Sequence, residues 1–308
     1  MNTQLPDTVS FSGHETFTLR SNWLKKAFDL LKETPDLFRC QDAFVRLGVG
    51  KNMAQAIRFW ATATRLFRRT ENGNLEPTRL GEELLADNGW DPFLVTATSH
   101  WLIHYQITSR PNMTFTWYYT FNILKRGEFT IHSLSEKISE YLVQIDRKKP
   151  SKTTLERDID CMIRCYTRPS TTQPTFAEDA LHCPLNDLYL VQTLSDQTGT
   201  HYYLTSGSQP SLPDALVAFA ALEQARYLKR HTLTFNELAY GERSPGRIFR
   251  LDEDSLLSRL FQFEELTNGQ ATYSDSGGIR QIMWRTIDDP ELDWSLLRIA
   301  FSRETTYA

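Results

Sequence analysis

The sequence predicts a mainly α protein with short β-hairpin wings, assembled from tandem winged helix-turn-helix-like units. Three observations lead there. Apolar residues recur at helical spacing through most of the chain. A glycine turn separates two early helices, and an Asn-Gly hairpin signal follows them. The same succession of helix, loop, helix and short extended runs then returns, more weakly, although no repeat of fixed period exists.

The first unit is expected over Phe38–Leu85. "FRCQDAFVRL" carries Phe38, Ala43, Phe44 and Leu47 at helical spacing. "GVG" supplies the turn, with Gly48 and Gly50 free to take positive φ. "KNMAQAIRFWATATRLF" follows as a second helix. Met53, Ala56, Ile57, Trp60, Ala63 and Thr64 fall on one side, and Lys51, Gln55, Arg58, Thr62 and Arg65 on the other, with Asn52 at the rim. That polar arc holds no acid. "LFRRTENGNLEPTRLGEELL" then reads as a hairpin about Asn72-Gly73 and a further helix.

A second unit begins with the helix "FTIHSLSEKISEYLVQI", continues through the basic loop "DRKKPSK" and ends in the helix "TTLERDIDCMIRCYT". There Leu155, Ile159, Met162, Ile163 and Tyr166 form the apolar stripe, and Arg157 and Arg164 face away. "YTRPSTTQPTF" reads as a connector, and "SGSQPSLP" punctuates again before Asp214. In the third unit, "LDEDS" opens a helix whose N-terminus suits acids, and "ATYSDSGGIRQIMW" is a hairpin turning near Ser276-Gly277-Gly278. These units imply an N-terminal DNA-binding unit over residues 1–100, a central helical or winged-helix-like unit over 101–168, and an acidic C-terminal unit suited to partner docking over 169–308.

Composition sets the class. The 308 residues are 40% hydrophobic and 23% charged, as in an ordinary globular protein. No apolar run approaches the roughly 20 residues of a membrane span, and "MNTQLPDTVSFS" is not a signal peptide. Cys40, Cys161, Cys165 and Cys183 form no C-x-x-C pair, so a reduced, cytoplasmic setting is expected. The net charge of −4 conceals an asymmetry. Gly13–Gly81 carries 12 Lys/Arg against 7 Asp/Glu, Asp146–Arg168 carries 7 against 4, and Pro169 to the end carries 11 against 19. Anions are drawn to regions of the molecule and not to the whole.

Binding chemistry is therefore legible, and catalysis is not. Lys51, Asn52, Gln55 and Arg58 suit base edges and phosphates from a helix lying in the major groove, with Arg65 on the same arc. Arg20, Lys25, Lys26, Arg68 and Arg69 suit phosphates from the first helix and the wing. His14-Glu15 resembles the start of H-E-x-x-H, but Thr18 stands where the second histidine would be, which favours a structural pair bonded to backbone or to Arg20. His100 and His104, embedded in "SHWLIHYQI", read as core or rim histidines, and Cys161 with Cys165 as helix packing. "LGVGKNM" fails as a phosphate loop because Val45 and Asn52 occupy the required glycine and Ser/Thr positions.

Five blocks resemble a known family: "GHETFTLRSNWLKK", "LGVGKNMAQAIRFWATAT", "TLERDIDCMIRCY", "AEDALHCPLNDLYLV" and "SPGRIFRLDEDSLLSRL" with "YSDSGGIRQI". They look like the successive blocks of a prokaryotic family catalogued as a domain of unknown function and found in DNA phosphorothioation gene clusters. The resemblance covers about residues 11 to 285. It implies a part in replacing a non-bridging phosphate oxygen of DNA with sulfur, as an anti-phage mark, through DNA binding and nicking. The implied partners are DNA, a PAPS-reductase-like pyrophosphatase, an ATPase and a cysteine desulfurase. A nicking step would imply a divalent metal, Mg²⁺ or Mn²⁺, and its candidate residues are His14 and Glu15, next to the basic helix, and Asp42. Two other readings stay open on the residues: a non-catalytic scaffold docking the pyrophosphatase, and a transcriptional regulator.

Overall fold

Residues 9–167, 183–197 and 199–302 are described in the computed structural model, in which helices predominate and three small antiparallel sheets lie between them. Most of the expected connector within residues 166–176 falls outside the described residues, as does the start of the block beginning at Ala177.

Helix α1 (Ser21–Glu33) buries Trp23, Leu24, Ala27, Phe28 and Leu31, the i, i+3, i+4 stripe of an amphipathic helix. The short α2 (Ala43–Arg46) leads through Gly48, at φ +62, into α3 (Lys51–Ala63). Gly50 is the extended N-cap of α3, so only the first glycine of the turn takes the left-handed conformation. Strands β1 (Phe67–Arg69) and β2 (Leu75–Pro77) pair from Phe67↔Pro77 to Arg69↔Leu75. Helix α4 (Arg79–Leu85) is capped by the Thr78 hydroxyl, which accepts from the Gly81 N–H.

The next helices are apolar on all sides. α5 (Ala97–Thr108) buries every residue from Thr98 onward, which makes it a central rod and not a surface helix. The expected boundary at residue 100 therefore falls inside a core helix. α6 (Phe115–Tyr118) runs into a π-helical turn, Tyr119–Ile123, that is almost wholly buried.

Strand β3 (Glu128–Phe129) precedes α7 (Ile131–Gln144) and α8 (Lys152–Tyr166). The capping box expected of a good helix start is present at Thr130 and Ser133. β4 (Val191–Asp196) and β5 (Gly199–Leu204) follow, and the sheet order is β3-β5-β4. Residues 128–129 thus share a sheet with residues 191–204, across the boundary expected at residue 168. The physical reason is that a two-residue strand is stable only when a hairpin from further along the chain supplies its partner.

The same order recurs at the C-terminal end. Helix α9 (Asp214–Leu228) is followed by β6 (Thr232–Thr234), α10 (Phe235–Tyr240), α11 (Pro245–Ile248), α12 (Glu253–Leu260), α13 (Phe263–Leu266), β7 (Ala271–Ser276) and β8 (Ile279–Trp284). The sheet order β6-β8-β7 repeats the pattern of the central sheet. α14 (Pro290–Ser302) packs on α9 and reaches back to the N-terminal region, where Phe301 stacks on Trp90 with ring centroids 4.8 Å apart. Among the described residues, no helix is long and apolar enough to cross a membrane.

Candidate nucleic-acid interface

The entry segment before α1 is a coiled turn, with Ser12, Glu15 and Thr16 at positive φ. Gly13 lies against the ring of Phe59, where an added Cβ would come within 2.6 Å of Cδ2. His14 is fully buried among Phe59, Trp60 and Trp117. Its Nδ1 accepts from the Thr16 N–H at 3.1 Å, which leaves Nε2 to donate to Asp158 at 2.8 Å. The same carboxylate accepts from the Ser12 N–H and the Thr116 hydroxyl, each at 2.5 Å. Three donors around one buried carboxylate are what such a charge requires. The motif therefore ties the chain start and α6 to α8, with α3 packed against its imidazole.

His14 is sealed in the core and bonded to Asp158. Glu15 is half-buried on the turn beside it. Asp42 is exposed at the start of α2, where a hydrogen bond from Arg46 at 2.9 Å holds its carboxyl below the ordinary carboxylate range. The three candidates thus serve different local structures. Of the partners expected for the His14-Glu15 pair, backbone or Arg20, His14 has a backbone bond from the Thr16 N–H, and it adds a carboxylate, Asp158.

The binding candidates divide along burial. Lys51, Asn52 and Gln55 are exposed on α3, and Arg58 is half-exposed one turn further on. Burial and then the nearby charge of Arg69 lower the Arg58 guanidinium, so two cations of different elements approach each other there. Among the described residues, no carboxylate pairs with Lys51, Arg58 or Arg69. Arg68 on the hairpin is exposed and bonds Glu76 at 2.7 Å. Between the α2 region and α3 runs a groove of about 560 Å³, lined by Phe38 and Phe44 together with Lys51, Gln55 and Arg58. The Lys51 ammonium lies 5.4 Å from the Phe44 ring centre.

The other candidates make contacts within the fold. Lys25 is buried on α1 and reaches Asp29 and Asp87, each at 2.6 Å. Burial opposes its charge, but the two carboxylates outweigh that and hold the ammonium above the ordinary lysine value. Lys26 is half-buried and donates to the Leu47 carbonyl at 3.2 Å. Arg20 lies 5.3 Å from the Trp23 ring centre. Arg65 was expected on the polar arc, but α3 ends at Ala63 and Arg65 takes φ +57, so its side chain turns inward to the Gln106 carbonyl and Ser109 hydroxyl. A helical projection extended past the last helical turn cannot predict that reversal.

The histidines and cysteines of the core are structural. His104 donates from Nε2 to the Ile248 carbonyl at 2.8 Å and accepts from the Tyr166 hydroxyl at 2.7 Å. Burial pulls its imidazole down to about 4. His100 bonds the Leu94 carbonyl at 2.9 Å, and Cys161 and Cys165 are buried in α8. Among the described residues, no group of three or more His, Cys, Asp or Glu side chains is arranged to hold a metal ion. The sequence signal of Asp158, which lies close to Cys161 and Cys165, is an acid on the apolar stripe of α8.

Two solved structures of the protein SspB, one of them with bound magnesium, superpose with TM-scores of 0.80 and 0.79. In both the sequence identity is 27%, and 97% of each chain is covered. No curated protein matches the chain. The model of DUF4007, a family described as protein of unknown function, matches residues 11–301, and the chain belongs to that family.

Proposed function

We propose that this protein is the DNA-binding component of a bacterial DNA phosphorothioate modification and anti-phage defence system, built of three winged-helix units. The observation that carries the reading is the α3 face: Lys51, Asn52, Gln55 and Arg58 present cations and amides without an acid, beside the hairpin arginines. A recognition helix with an adjacent wing uses such groups on base edges and phosphates. The likeness to SspB supports the system, since the family resemblance read from the sequence blocks implies phosphorothioation.

Each unit has a helix in the position of α3, and the three differ in charge. α8 mixes Lys152 and Arg157 with Glu156 and Asp160. α12 opens on exposed Asp252, Glu253 and Asp254, which repel phosphate. The chain thus grades from a DNA-facing end to an end that suits protein partners, the PAPS-reductase-like pyrophosphatase, the ATPase or the cysteine desulfurase. Part of the acidic surplus is consumed internally, as in Asp214–Arg259, Glu237–Arg230 and Asp293–Arg226, so the docking surface is narrower than composition implies.

The test reverses one exposed charge, Lys51, and one half-exposed charge, Arg58. Lys51→Glu with Arg58→Glu should abolish duplex retention in a gel shift at low salt while changing stability by no more than about 1 kcal/mol. Undiminished retention would remove the proposal. Nicking is read separately, from supercoiled plasmid with Mg²⁺ or Mn²⁺ and with or without chelator. Metal-dependent open circles would make this the strand-opening subunit; intact plasmid would leave it a binding component.

A further inference from the structure

Away from the outer face of α3, beyond its C-terminal end, two small cavities of about 260 and 290 Å³ adjoin, sharing Tyr105, Arg110 and Glu223 as walls. Four guanidinium groups line them, Arg65, Arg110, Arg226 and Arg243, together with Arg79 at the outer edge. Arg79 is paired with Glu291 at 3.0 Å. Arg226 is likewise satisfied, by Asp293 at 2.5 Å and Glu223 at 3.0 Å. The other three have no hydrogen bond to a carboxylate. Arg110 forms only a long ion pair, 3.8 Å from Glu223 Oε2 and beyond hydrogen-bond length, while Arg226 holds Oε1 of the same carboxylate. Arg65 bonds only a carbonyl and a hydroxyl. Arg243 stacks 3.7 Å from the Tyr227 ring centre, and its Nε is buried without a hydrogen-bond partner.

Setting Arg79 and Glu291 aside, four cations face Glu223 and Asp293 across the cavities and Glu242 beside Arg243, a surplus of one positive charge. Like charges held together under partial burial oppose folding unless an anion completes them. Burial, with Arg110 and then Arg243 adding to it, pulls the Arg65 guanidinium down to about 9, so it is still charged at neutral pH. A carboxylate or a phosphodiester brings one negative charge. A phosphate monoester brings ~1.5 to 2 at pH 7, which outweighs the surplus, and three acceptor oxygens, which can engage more than one guanidinium fork at once.

We propose that this double cavity is a receptor for a phosphate monoester, the terminal phosphate of a free nucleotide or of a nucleic-acid strand end, held by Arg110 and Arg243. The Arg243 fork is preset by its ring stack on Tyr227 and by its backbone N–H, which donates to Asn122 Oδ1 at 2.8 Å. The Ser109 hydroxyl, already fixed by Arg65, faces the same space. The site does not depend on the α3 reading, because diester backbones and monoester ends are recognised by different charge.

Calorimetric titration of the full chain tests it with four probes: adenosine monophosphate, adenosine, a terminally phosphorylated oligonucleotide and its hydroxyl-ended counterpart. Each phosphorylated probe is expected to bind more tightly than its unphosphorylated partner. Tight monophosphate binding assigns the free nucleotide; preference confined to the phosphorylated strand assigns the strand end. Arg110→Gln and Arg243→Gln should each weaken the phosphorylated probe about tenfold or more. Arg110 is exposed, so its variant keeps the fold, as an unchanged Tm would verify. Lys51→Glu with Arg58→Glu should leave the ratio between phosphorylated and unphosphorylated probes intact. No preference for either phosphorylated probe, or parental binding by both arginine variants, would overturn the proposal.

Discussion

Replacing His14 with alanine separates a bracing role from a chemical one. The imidazole donates to a carboxylate that is itself buried, so its loss removes a charge-assisted bond of about 1.5–3 kcal/mol and leaves Asp158 with two donors. It also opens a void between Phe59, Trp60 and Trp117, where truncations of large buried side chains cost about 3 kcal/mol or more. The two losses overlap, because relaxation around the void also rearranges the carboxylate. A total of about 4 kcal/mol is the reasonable expectation. For a chain of 308 residues, an unfolding entropy of roughly 0.6 kcal/mol per degree converts that into a Tm about 6–7 °C lower. Thermal unfolding by circular dichroism measures it. Asp158→Ala should cost a similar amount, and the double variant less than the sum, since both remove one interaction. A parental Tm for His14→Ala combined with loss of plasmid nicking would refute the bracing argument and return this histidine to chemistry.

Further outcomes are expected at other positions. Arg69→Gln should lower the slope of log binding constant against log salt by about 0.9 for one lost phosphate contact, and an unchanged slope would take the hairpin out of the interface. Gly81→Ala would place a Cβ 2.0 Å from the Leu66 carbonyl oxygen, and pushing that backbone aside should cost about 3 kcal/mol in denaturant unfolding. His104 titrates near 4 in the fold against an ordinary 6.5, so the unfolded chain takes up its proton first as pH falls. Its contribution is present above pH 6.5 and is lost between there and about 4, amounting to about 3 kcal/mol. Asp293, whose carboxyl burial pushes up to about 6, acts in the opposite sense over much of that range. The informative quantity is therefore the difference in acid sensitivity between the parent and His104→Gln, which should lose this component.

Some of this architecture is local and therefore legible in the chain. α3 and α8 were expected where they lie because their apolar residues repeat at helical spacing, and the Asn-Gly and Gly-Gly turns announced the two hairpins they join. The acid-free face of α3 needed only the helical repeat, since a solvent-facing arc is defined by the residues opposite the buried ones.

Other features depend on residues far apart in sequence, and no local pattern encodes them. The two-residue strand β3 exists because a hairpin more than sixty residues away supplies its partner. Asp158 shows in sequence only as an acid on the apolar stripe of α8; its partners His14, Ser12 and Thr116 are brought to it by folding. Arg65 belongs to the basic arc by spacing and to an interior arginine cluster by folding, because one residue of positive φ after α3 reverses its direction. Spacing along the chain determined which side chains share a face of one helix. Which charges meet, and which are left without a counter-ion, was decided only when separate helices packed, since electrostatic partnership depends on distance through space.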